Sequence, residues 1–272
     1  VEYLTRLGDD PFGHYIEQAL KDNGIGTNLL TNDMVYRTGI QLKEYVEDGH
    51  DPAAPYYRKG SAASHLSAQE IDALDLEEIG LVHVTGIPPA LSKEAREATY
   101  RLMERAREAQ IPVTFDPNLR PALWENGETM RNVLNDLANY ADVVLPGIGE
   151  CEILAGTTDK EKAADFYHQK GVALVVIKDG KNGAYVSEKK ENGEVVRDMI
   201  PGYPVKKVVD TVGAGDGFAV GVLSGLLKGL PVTECAKRGN AIGSIQVQHR
   251  GDNEGLPTEE ILQSYMAGNI QK

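Results

Sequence analysis

A glycine-rich segment in the last quarter of the chain carries the residues best suited to chemistry. Residues 210–218 read DTVGAGDGF, between a β-like run at 205–209 and an apolar helical stretch at 218–227. Glycines where a strand turns into a helix let backbone N–H groups converge, and the helix N-terminus adds partial positive charge. The turn therefore predicts an anion hole for a phosphoryl group, formed by Gly213, Ala214 and Gly215. Asp216 follows in the first helical turn, where its carboxylate can accept the proton of an attacking hydroxyl.

Two commoner nucleotide-binding signatures are absent from the sequence. No GxxxxGK[ST] segment is present, and the glycines at 213, 215 and 217 do not follow the GxGxxG spacing. The segment is therefore neither a P-loop nor a dinucleotide-binding turn. The alternative interpretation is a structural glycine turn in which Asp216 only caps the following helix.

The balance of charge limits the partners. The 272 residues include 28 Lys and Arg against 41 Asp and Glu, a formal net charge of −13. Such a surface repels phosphate backbones and anionic lipid, so we expect neither nucleic acid nor a membrane as partner. Cys151 and Cys235 supply neither a disulfide framework nor a zinc site, and no signal peptide is visible, which predicts a cytoplasmic protein. Because the first residue is Val1 rather than methionine, we expect the natural start to lie outside this sequence.

Alternating strands and helices must position the glycine turn. Short apolar runs bounded by turn residues predict buried strands at 81–85, 113–115, 142–145 and 174–177. Helical periodicity lies between them, for example after Ser92, a predicted N-cap. This alternation predicts an α/β fold, a doubly wound, mostly parallel sheet sandwiched by helices, as a single domain over 1–272. Ligands of such sheets bind at the carboxyl ends of the strands. We expect His83, within the first of these strands, to be packed.

One stretch interrupts the alternation. Two β-like runs, 35–42 and 56–58, surround a polar segment at 47–55. We interpret residues 34–60 as a small β lid inserted at the edge of the sheet. Tyr56 and Arg58 are two residues apart on a β run, so their side chains should point to the same face.

The DTVGAGD segment resembles the C-terminal signature of the ribokinase-like (PfkB) sugar kinases. Further segments match motifs of that family: RLGDDPFG at 6–13, FDPNLR at 115–120 followed by Trp124, KDGKNG at 178–183, and the closing G…LPT between 251 and 258. The matches extend over nearly the whole chain. The resemblance implies the ribokinase-like fold, phosphoryl transfer to a sugar, and ATP and Mg²⁺ as cofactors.

The resemblance also implies roles for the residues that carry it. Asp216 would be the catalytic base, beside the anion hole of the glycine turn. Glu150 corresponds to the glutamate of the family's N-x-x-E motif, which organises Mg²⁺ through water. Gly147 stands at the asparagine position of that motif, so the phosphate contact of the amide is missing.

Contacts to the nucleotide follow from the same comparison. ATP-binding residues are implied to be Lys178, Gly180, Gly183, Gly213, Gly215 and Asn240, the last near the adenine. Relatives often hold a monovalent cation such as K⁺ with the carbonyls that correspond to Asp210 and Thr211.

The family pattern begins before the point at which this sequence begins. It starts with a strand, an acidic residue that grips the substrate, and a GG-x-x-x-N turn, none of which is found here. We expect this N-terminal segment to be missing. Loss of an inner parallel strand exposes backbone groups and apolar faces of its neighbours, so we expect an unstable or inactive chain unless the strand is supplied.

Two arginines indicate the class of substrate. Arg58 lies on the predicted lid with Tyr56, and Arg120 follows the strand that ends near 116. A guanidinium grips a carboxylate bidentately, so two of them in an acidic protein favour a sugar acid over a neutral hexose. The alternatives are a solvated edge strand for Tyr56 and Arg58 and a surface ion pair for Arg120.

Two segments, one of which begins in the predicted lid, indicate which members of the family this sequence resembles most. Residues 56–64 and 81–91 look like the corresponding segments of 2-keto-3-deoxygluconate kinases, although Gln41 stands where those kinases often have a tyrosine. We therefore predict ATP-dependent phosphorylation of 2-keto-3-deoxygluconate to its 6-phosphate, with Gln41 among the substrate-binding residues. A fructokinase or another PfkB sugar kinase is the first alternative, and a non-catalytic sugar-acid-binding relative is the second. The exposed edges of the lid predict a homo-oligomer, a dimer or higher, formed through the lid.

Overall fold

A computed structural model describes residues 1–42 and 55–269. The strands in this part of the chain are β1 (Thr5–Gly8), β2 (Leu30–Asp33), β3 (Ile40–Gln41), β4 (Tyr56–Tyr57), β5 (Val82–Thr85), β6 (Val113–Asp116), β7 (Val143–Val144), β8 (Leu174–Lys178), β9 (Ala184–Lys189) and β10 (Val195–Ile200). The α-helices are α1 (Pro11–Asp22), α2 (Ala68–Asp72), α3 (Pro88–Leu91), α4 (Lys93–Glu108), α5 (Gly127–Leu137), α6 (Ile148–Ala155), α7 (Lys160–Gln169), α8 (Ala214–Leu227), α9 (Val232–Gln246) and α10 (Glu259–Met266). None of these helices is long and apolar enough to cross a membrane.

The chain divides into two compact units. The first comprises Val1–Glu78, Thr85–Gln110 and Leu119–Val133, and the second comprises Ile79–Val84, Ile111–Asn118 and Leu134–Lys272.

The second unit is built on a six-stranded sheet with the order β10-β9-β8-β7-β6-β5. Strands β6, β7 and β8 are parallel, whereas β9 and β10 are antiparallel additions at one edge. The predicted α/β fold with a mostly parallel central sheet flanked by helices is confirmed. Because β6 and β8 run in the same direction, their last residues, Asp116 and Lys178, lie at the same edge of the sheet.

Helices cover both faces of this sheet. Val176 of β8 and Val186 of β9 share a core cluster with Phe218 of α8. Ser187, the next residue of β9, points to the opposite face. There its hydroxyl lies 2.8 Å from Nε2 of His168 on α7, whose Nδ1–H donates to the Val172 carbonyl at 2.8 Å. The helices α7 and α8 therefore pack on opposite faces, as the doubly wound prediction requires.

The first unit contains two small sheets, the parallel pair β1-β2 and the antiparallel pair β3-β4. Strand β1 leads into α1 through Asp10, the N-cap residue, whose carboxylate accepts the N–H groups of Phe12, Gly13 and Thr38 at 2.8–3.0 Å. These bonds lower the pKa of Asp10, above all the bond from the Thr38 N–H. The family-like RLGDDPFG segment thus forms a strand, a cap and a helix start.

The predicted lid is described only at its two ends, because 43–54 lie outside the described residues and with them most of the polar segment 47–55. The run at 35–42 is shorter than predicted, since only Ile40 and Gln41 form a strand and pair with β4. The Asp33 carboxylate accepts the N–H groups of Val35 and Tyr36 at 2.8 and 2.9 Å, which makes a turn instead of a strand.

The helix predicted after Ser92 is confirmed. The Ser92 side chain accepts the N–H of Ala95 at 2.9 Å, and α4 begins at the next residue after this cap. Ala95, Ala98 and Ala106 are buried along its length, as their spacing predicts.

The prediction of a strand at 205–209 is wrong. None of the residues 201–213 belongs to a strand. Val208 and Val209 remain 52% and 43% exposed, and the Val209 N–H donates to the Val247 carbonyl at 2.7 Å. A β-like sequence becomes a strand only where a neighbour offers a hydrogen-bonding edge, and this segment is attached to the end of α9 instead.

Candidate active site

The glycine turn at 213–216 has the geometry of an open helix N-terminus. Gly213 adopts a left-handed conformation (φ 74°) as the N-cap of α8, and a Cβ there would lie 2.2 Å from the Asp252 carbonyl oxygen. Only glycine fits this position without strain. Among the described residues, no side chain caps the helix, and Gly215 and Asp216 are exposed. The Ala214 N–H donates to the Thr211 carbonyl at 3.4 Å. The next amides, those of Gly215 and Asp216, lie at the exposed start of α8, where the helix presents partial positive charge to solvent.

Asp216 lies beside the loop that follows β6. The Asn118 side-chain amide donates to Oδ1 of Asp216 at 3.3 Å. Asn118 has a positive φ of 42°, which is uncommon for a residue with a side chain. Sequence analysis noticed the segment 115–120 but assigned no role to Asn118. The D-x-N pattern next to a strand end was the available signal.

Below the same turn lies a buried ion pair that sequence analysis did not find. Nζ of Lys178 lies 2.6 Å from Oδ2 of Asp116. The Asp116 side chain is 2% exposed and that of Lys178 is 18% exposed. A Cβ placed on Gly215 would have this ammonium as its nearest neighbour, at 3.9 Å. Lys178 thus borders the glycine turn, which is consistent with its predicted place among the ATP contacts.

Burial and charge act in opposite directions on this pair. Burial raises the pKa of Asp116 to about 6, an increase that the nearby ammonium of Lys178 limits and that Glu150 and Asp216 strengthen. Burial by itself would lower the pKa of Lys178, but the carboxylates of Asp116, Glu150 and Asp216 outweigh it, and the pKa is raised. Lys178 therefore carries a full positive charge at neutral pH.

Glu150 lies in the first turn of α6, and its carboxylate acts on the Lys178 ammonium as do those of Asp116 and Asp216. Its Oε2 accepts the N–H of Gly147 at 2.6 Å, so the residue at the asparagine position of the family motif is held by its backbone. In the described residues, no group of three or more His, Cys, Asp or Glu side chains could hold a metal ion alone. A Mg²⁺ ion that keeps its waters and is bound mainly by substrate phosphates, with a carboxylate nearby, fits this set of donors.

The loop after β8 packs against the segment that leaves β10. Gly180 is exposed at the start of a single 3₁₀ turn, whereas Gly183 is buried with φ 103°, and a Cβ there would lie 2.0 Å from the Ile200 carbonyl oxygen. The buried Asn240 amide donates to the carbonyls of Ile200 and Pro201, both at 3.1 Å. Asn240 thus anchors the segment that supports this loop, and its contact with adenine remains a prediction.

His83 is exposed on the edge strand β5, so the expectation that it is packed is wrong. In the described part of the chain, β5 is the last strand of its sheet and has β6 as its neighbour. Its Nδ1 lies 2.8 Å from the Thr114 hydroxyl. Although the residue is exposed, protein atoms surround part of the ring, and this partial burial, with the Lys178 charge, lowers the pKa of His83 to about 4. His83 is therefore neutral at pH 7.

Three predicted substrate residues lie together in the first unit. The Arg58 guanidinium donates to Oε1 of Gln41 at 2.8 Å and lies over the Tyr56 ring, 5.1 Å from its centroid. Tyr56 and Arg58 are half-buried on one face and Tyr57 is exposed on the other, as the β periodicity predicts. We refer to Gln41, Tyr56 and Arg58 as the lid cluster.

Arg120 also belongs to the first unit. It precedes a 3₁₀ turn (Pro121–Leu123) and donates to the Leu119 carbonyl at 2.9 Å. The neighbouring Trp124 is buried under the Arg96 guanidinium, 5.0 Å from the ring centroid. Arg120 is half-exposed, and both its predicted contact with the substrate and the alternative of a surface ion pair stay predictions.

Comparisons with known proteins agree with this architecture. The sequence profile described as pfkB family carbohydrate kinase matches residues 1–259. A Bacillus subtilis (strain 168) protein named 2-dehydro-3-deoxygluconokinase is 46% identical over 266 residues, which cover 97% of this chain and 80% of that protein. The crystal structure of a PfkB protein from Polaromonas sp. JS666 has a TM-score of 0.86 at 44% identity, covering 97% of this chain and 83% of that one. A fructokinase from Vibrio cholerae O395, bound to fructose, ADP and calcium, has a TM-score of 0.86 at 26% identity, covering 97% and 85%.

The fold and these relatives define a carbohydrate kinase, an enzyme that transfers a phosphoryl group to an alcohol. The chain belongs to the PfkB family, and the resemblance to ribokinase-like proteins is confirmed. Membership implies a sugar and ATP as substrates, with a divalent metal ion.

Proposed function

We propose that this kinase phosphorylates 2-keto-3-deoxygluconate, also called 2-dehydro-3-deoxygluconate, at its 6-hydroxyl. The lid cluster carries the proposal, because it presents a guanidinium already oriented by Gln41 and by the Tyr56 ring. A carboxylate is the partner that such a planar donor prefers. The name of the Bacillus subtilis relative supports the same substrate.

In the proposed reaction, Asp216 takes the proton of the 6-hydroxyl while its oxygen attacks the γ-phosphorus. The new P–O bond forms as the bond from the γ-phosphorus to the β–γ bridging oxygen breaks, and ADP leaves. Asn118 donates to one oxygen of Asp216, which orients the carboxylate so that the other oxygen can act as the base. The amides at 213–215 are proposed to donate to the oxygens of the transferred group, the Ala214 N–H in place of its bond to the Thr211 carbonyl at 3.4 Å.

Glu150 is proposed to act on Mg²⁺ through water, and the bound ion would neutralise charge on the phosphates. The exposed Gly180 and the packed Gly183 are proposed to lie along the nucleotide, with Asn240 holding the segment beneath them. A K⁺ ion near Asp210 and Thr211 stays a prediction.

The first test is ATP turnover with 2-keto-3-deoxygluconate, fructose and ribose side by side, on this chain and on a chain extended at its N-terminus. Preference for the keto-deoxy acid supports the proposal. Preference for fructose retains the kinase but contradicts the role given to the lid cluster, and favours the fructokinase alternative. Binding of nucleotide and sugar acid without turnover in either chain favours the non-catalytic alternative.

The carboxylate contact is tested with Arg58→Met and Arg120→Met. Each should raise the KM for the sugar acid about 10- to 100-fold and change the KM for a neutral sugar far less, because only the acid loses a charge-assisted hydrogen bond. Lys59→Met is the matched control, since Lys59 neighbours Arg58 but is exposed. Equal losses for acid and neutral sugars would contradict the carboxylate contact.

We also propose that the lid forms a contact between subunits. Tyr57 and Leu42 are 58% and 53% exposed at the described ends of the lid. Exposed apolar side chains on a short two-stranded edge are typical of surfaces that pair with another chain. Sedimentation should give at least the mass of a dimer, and Tyr57→Lys should lower it. A monomeric mass for the unchanged chain would rule the contact out.

A further inference from the structure

Lys178 lies at the edge of the sheet where a ligand would bind, and a role in stability alone does not account for its place there. It ends β8, and Asp116 ends β6, with β7 between these two strands in the sheet. Their side chains meet at 2.6 Å at the edge of the sheet where the parallel strands end. Ligands of such sheets bind at this edge.

The two partners are buried to different degrees. Protein encloses the Asp116 carboxylate, whereas the Lys178 side chain keeps 18% of its surface. In the part of the chain that the structure describes, the nearest atom outside α8 to a Cβ placed on Gly215 is the Lys178 ammonium, at 3.9 Å. An anion held by the amides of the glycine turn would therefore lie next to the ammonium.

The charges around Lys178 are mostly negative. Asp116 on β6, Glu150 on α6 and Asp216 on α8 all act on its ammonium, and His83 on β5 adds no charge at neutral pH. A polyphosphate arriving at these carboxylates would be repelled unless a cation were fixed among them. One donor of the ammonium is directed to Asp116, which leaves its two other donors for a phosphoryl group.

Stability alone gives a weak reason for this pair. Removing two charges from water costs free energy that their attraction often fails to recover, and apolar replacements of buried ion pairs are frequently neutral or stabilising. A charge fixed beside an uncapped helix N-terminus is, in contrast, well placed to stabilise a phosphoryl group during transfer.

We propose that Lys178 is a catalytic residue that contacts the γ-phosphoryl group of ATP at the glycine turn, and that Asp116 is the positioning residue that holds its ammonium there. The inference rests on the proposed kinase chemistry but not on the identity of the sugar. It assigns Lys178 to the γ-phosphate rather than to the nucleotide as a whole.

The test compares ADP with the non-hydrolysable analogue AMP-PNP by calorimetry, alongside kcat and KM. For Lys178→Met, kcat should fall about 100-fold and the Kd for AMP-PNP should rise about 10-fold, since one charged donor to the phosphoryl group is lost. The Kd for ADP should change less than about 3-fold, because ADP lacks the γ-phosphate. Asp116→Asn should lower kcat about 10-fold with the KM for sugar unchanged.

Two further variants separate catalysis from folding. The double variant Asp116→Leu with Lys178→Met replaces the pair by apolar groups, and it should fold as stably as the single variants yet keep the low kcat. Lys21→Met is the matched control, since Lys21 makes a lysine–carboxylate pair of the same length with Glu17, at 2.6 Å within α1, and it should leave kcat and both Kd values unchanged.

Recovery of kcat in the double variant would show that the pair is only structural and would overturn the proposal. Equal weakening of ADP and AMP-PNP binding, or no binding of either nucleotide by the unchanged chain, would also overturn it. If the unchanged chain binds AMP-PNP through Lys178 but phosphorylates none of the sugars, the proposed function fails while the assignment of Lys178 stands.

Discussion

Two helices of this kinase begin at turns that combine glycine with aspartate. They differ in whether a side-chain carboxylate accepts the N–H groups of the first helical turn. At the start of α1, Asp10 is the N-cap and its carboxylate accepts the N–H groups of Phe12 and Gly13. At the start of α8, Gly213 is the N-cap, no side chain of the described residues caps the helix, and Asp216 lies three residues later. The carboxylate of Asp10 fills the anion site of its own helix, whereas α8 leaves that site open.

The glycines of the two turns show a corresponding difference in how closely the protein packs around them. A Cβ on Gly13 would lie 2.0 Å from the Gly8 carbonyl oxygen, so packing of the protein against itself requires glycine there. Among the described residues outside its own helix, the Lys178 ammonium is the one group that a Cβ on Gly215 would meet within 4 Å, at 3.9 Å. The absence of a side chain at Gly215 therefore makes room for something other than the protein. The position of the carboxylate relative to the cap distinguishes a structural turn from one that can bind an anion.

The largest expected effect is on Asp216. Asp216→Asn should lower kcat about 1,000-fold, because the base is lost, while the Kd for ATP changes little. Asp10→Asn is the matched change in the self-capped turn, and it should lower the melting temperature but not kcat. Turnover retained by Asp216→Asn would show that Asp216 is a cap like Asp10.

The second-largest expected effect is on Gly13, where close packing against the Gly8 backbone allows only glycine. Gly13→Ala should lower the free energy of unfolding by about 3 kcal/mol, since the new methyl group overlaps the Gly8 carbonyl oxygen. Chemical denaturation measures this change. A loss below about 1 kcal/mol would mean that the turn relaxes easily, and the contrast between the two glycines would lose its basis.

Acid should destabilise those turns of the first unit whose N–H groups donate to an aspartate carboxylate. Asp33 accepts the N–H groups of Val35 and Tyr36 and pairs with Arg6 at 2.5 Å; although burial opposes this, the pKa of Asp33 is lowered to about 2. A lowered carboxyl pKa contributes stability that is present above the unfolded value of 3.8 and is lost as the pH falls towards 2. Asp33→Asn should therefore cost about 2 kcal/mol at pH 7 and almost nothing near pH 2.

The matched control for Asp33 is Glu70→Gln. Glu70 also pairs with Arg6, at 2.7 Å, but its side chain is 28% exposed. Its loss should cost less than about 1 kcal/mol. Unfolding curves of the three proteins across this pH range provide the measurement, and a pH-independent difference between Asp33→Asn and the unchanged protein would contradict the assignment.

The smallest expected effect is that of Gly215→Ala, and it tests whether Gly215, unlike Gly13, leaves room for a ligand. Gly215→Ala should lower kcat about 10-fold, because the methyl group enters the space proposed for the phosphoryl group. The same change should raise the free energy of unfolding by about 0.5 kcal/mol, since alanine favours a helix over glycine. Added stability with unchanged kcat would show that no ligand approaches Gly215.

Much of the chemistry-bearing part of the site could be predicted from sequence. The glycine turn, Asp216 and the helix that follows them are local features, because glycine conformations and helix periodicity are set within a few residues. Tyr56 and Arg58 share a face for an equally local reason. The strand predicted at 205–209 was wrong because β structure depends on a partner edge that local sequence does not encode.

The sequence by itself determined the α/β alternation, the family and the turn with its acidic residue, since spacing and residue type are sufficient for these. Only the tertiary structure decided that Asp116 pairs with Lys178 and that Asn118 reaches Asp216. Each of these contacts joins strand ends or helix starts that are far apart in the chain, 62 residues for the ion pair and 98 for the hydrogen bond. Parallel strands bring their carboxyl ends to one edge of the sheet, however far apart they are in the sequence. Burial and neighbouring charges at that edge then shift the pKa values of the side chains that meet there.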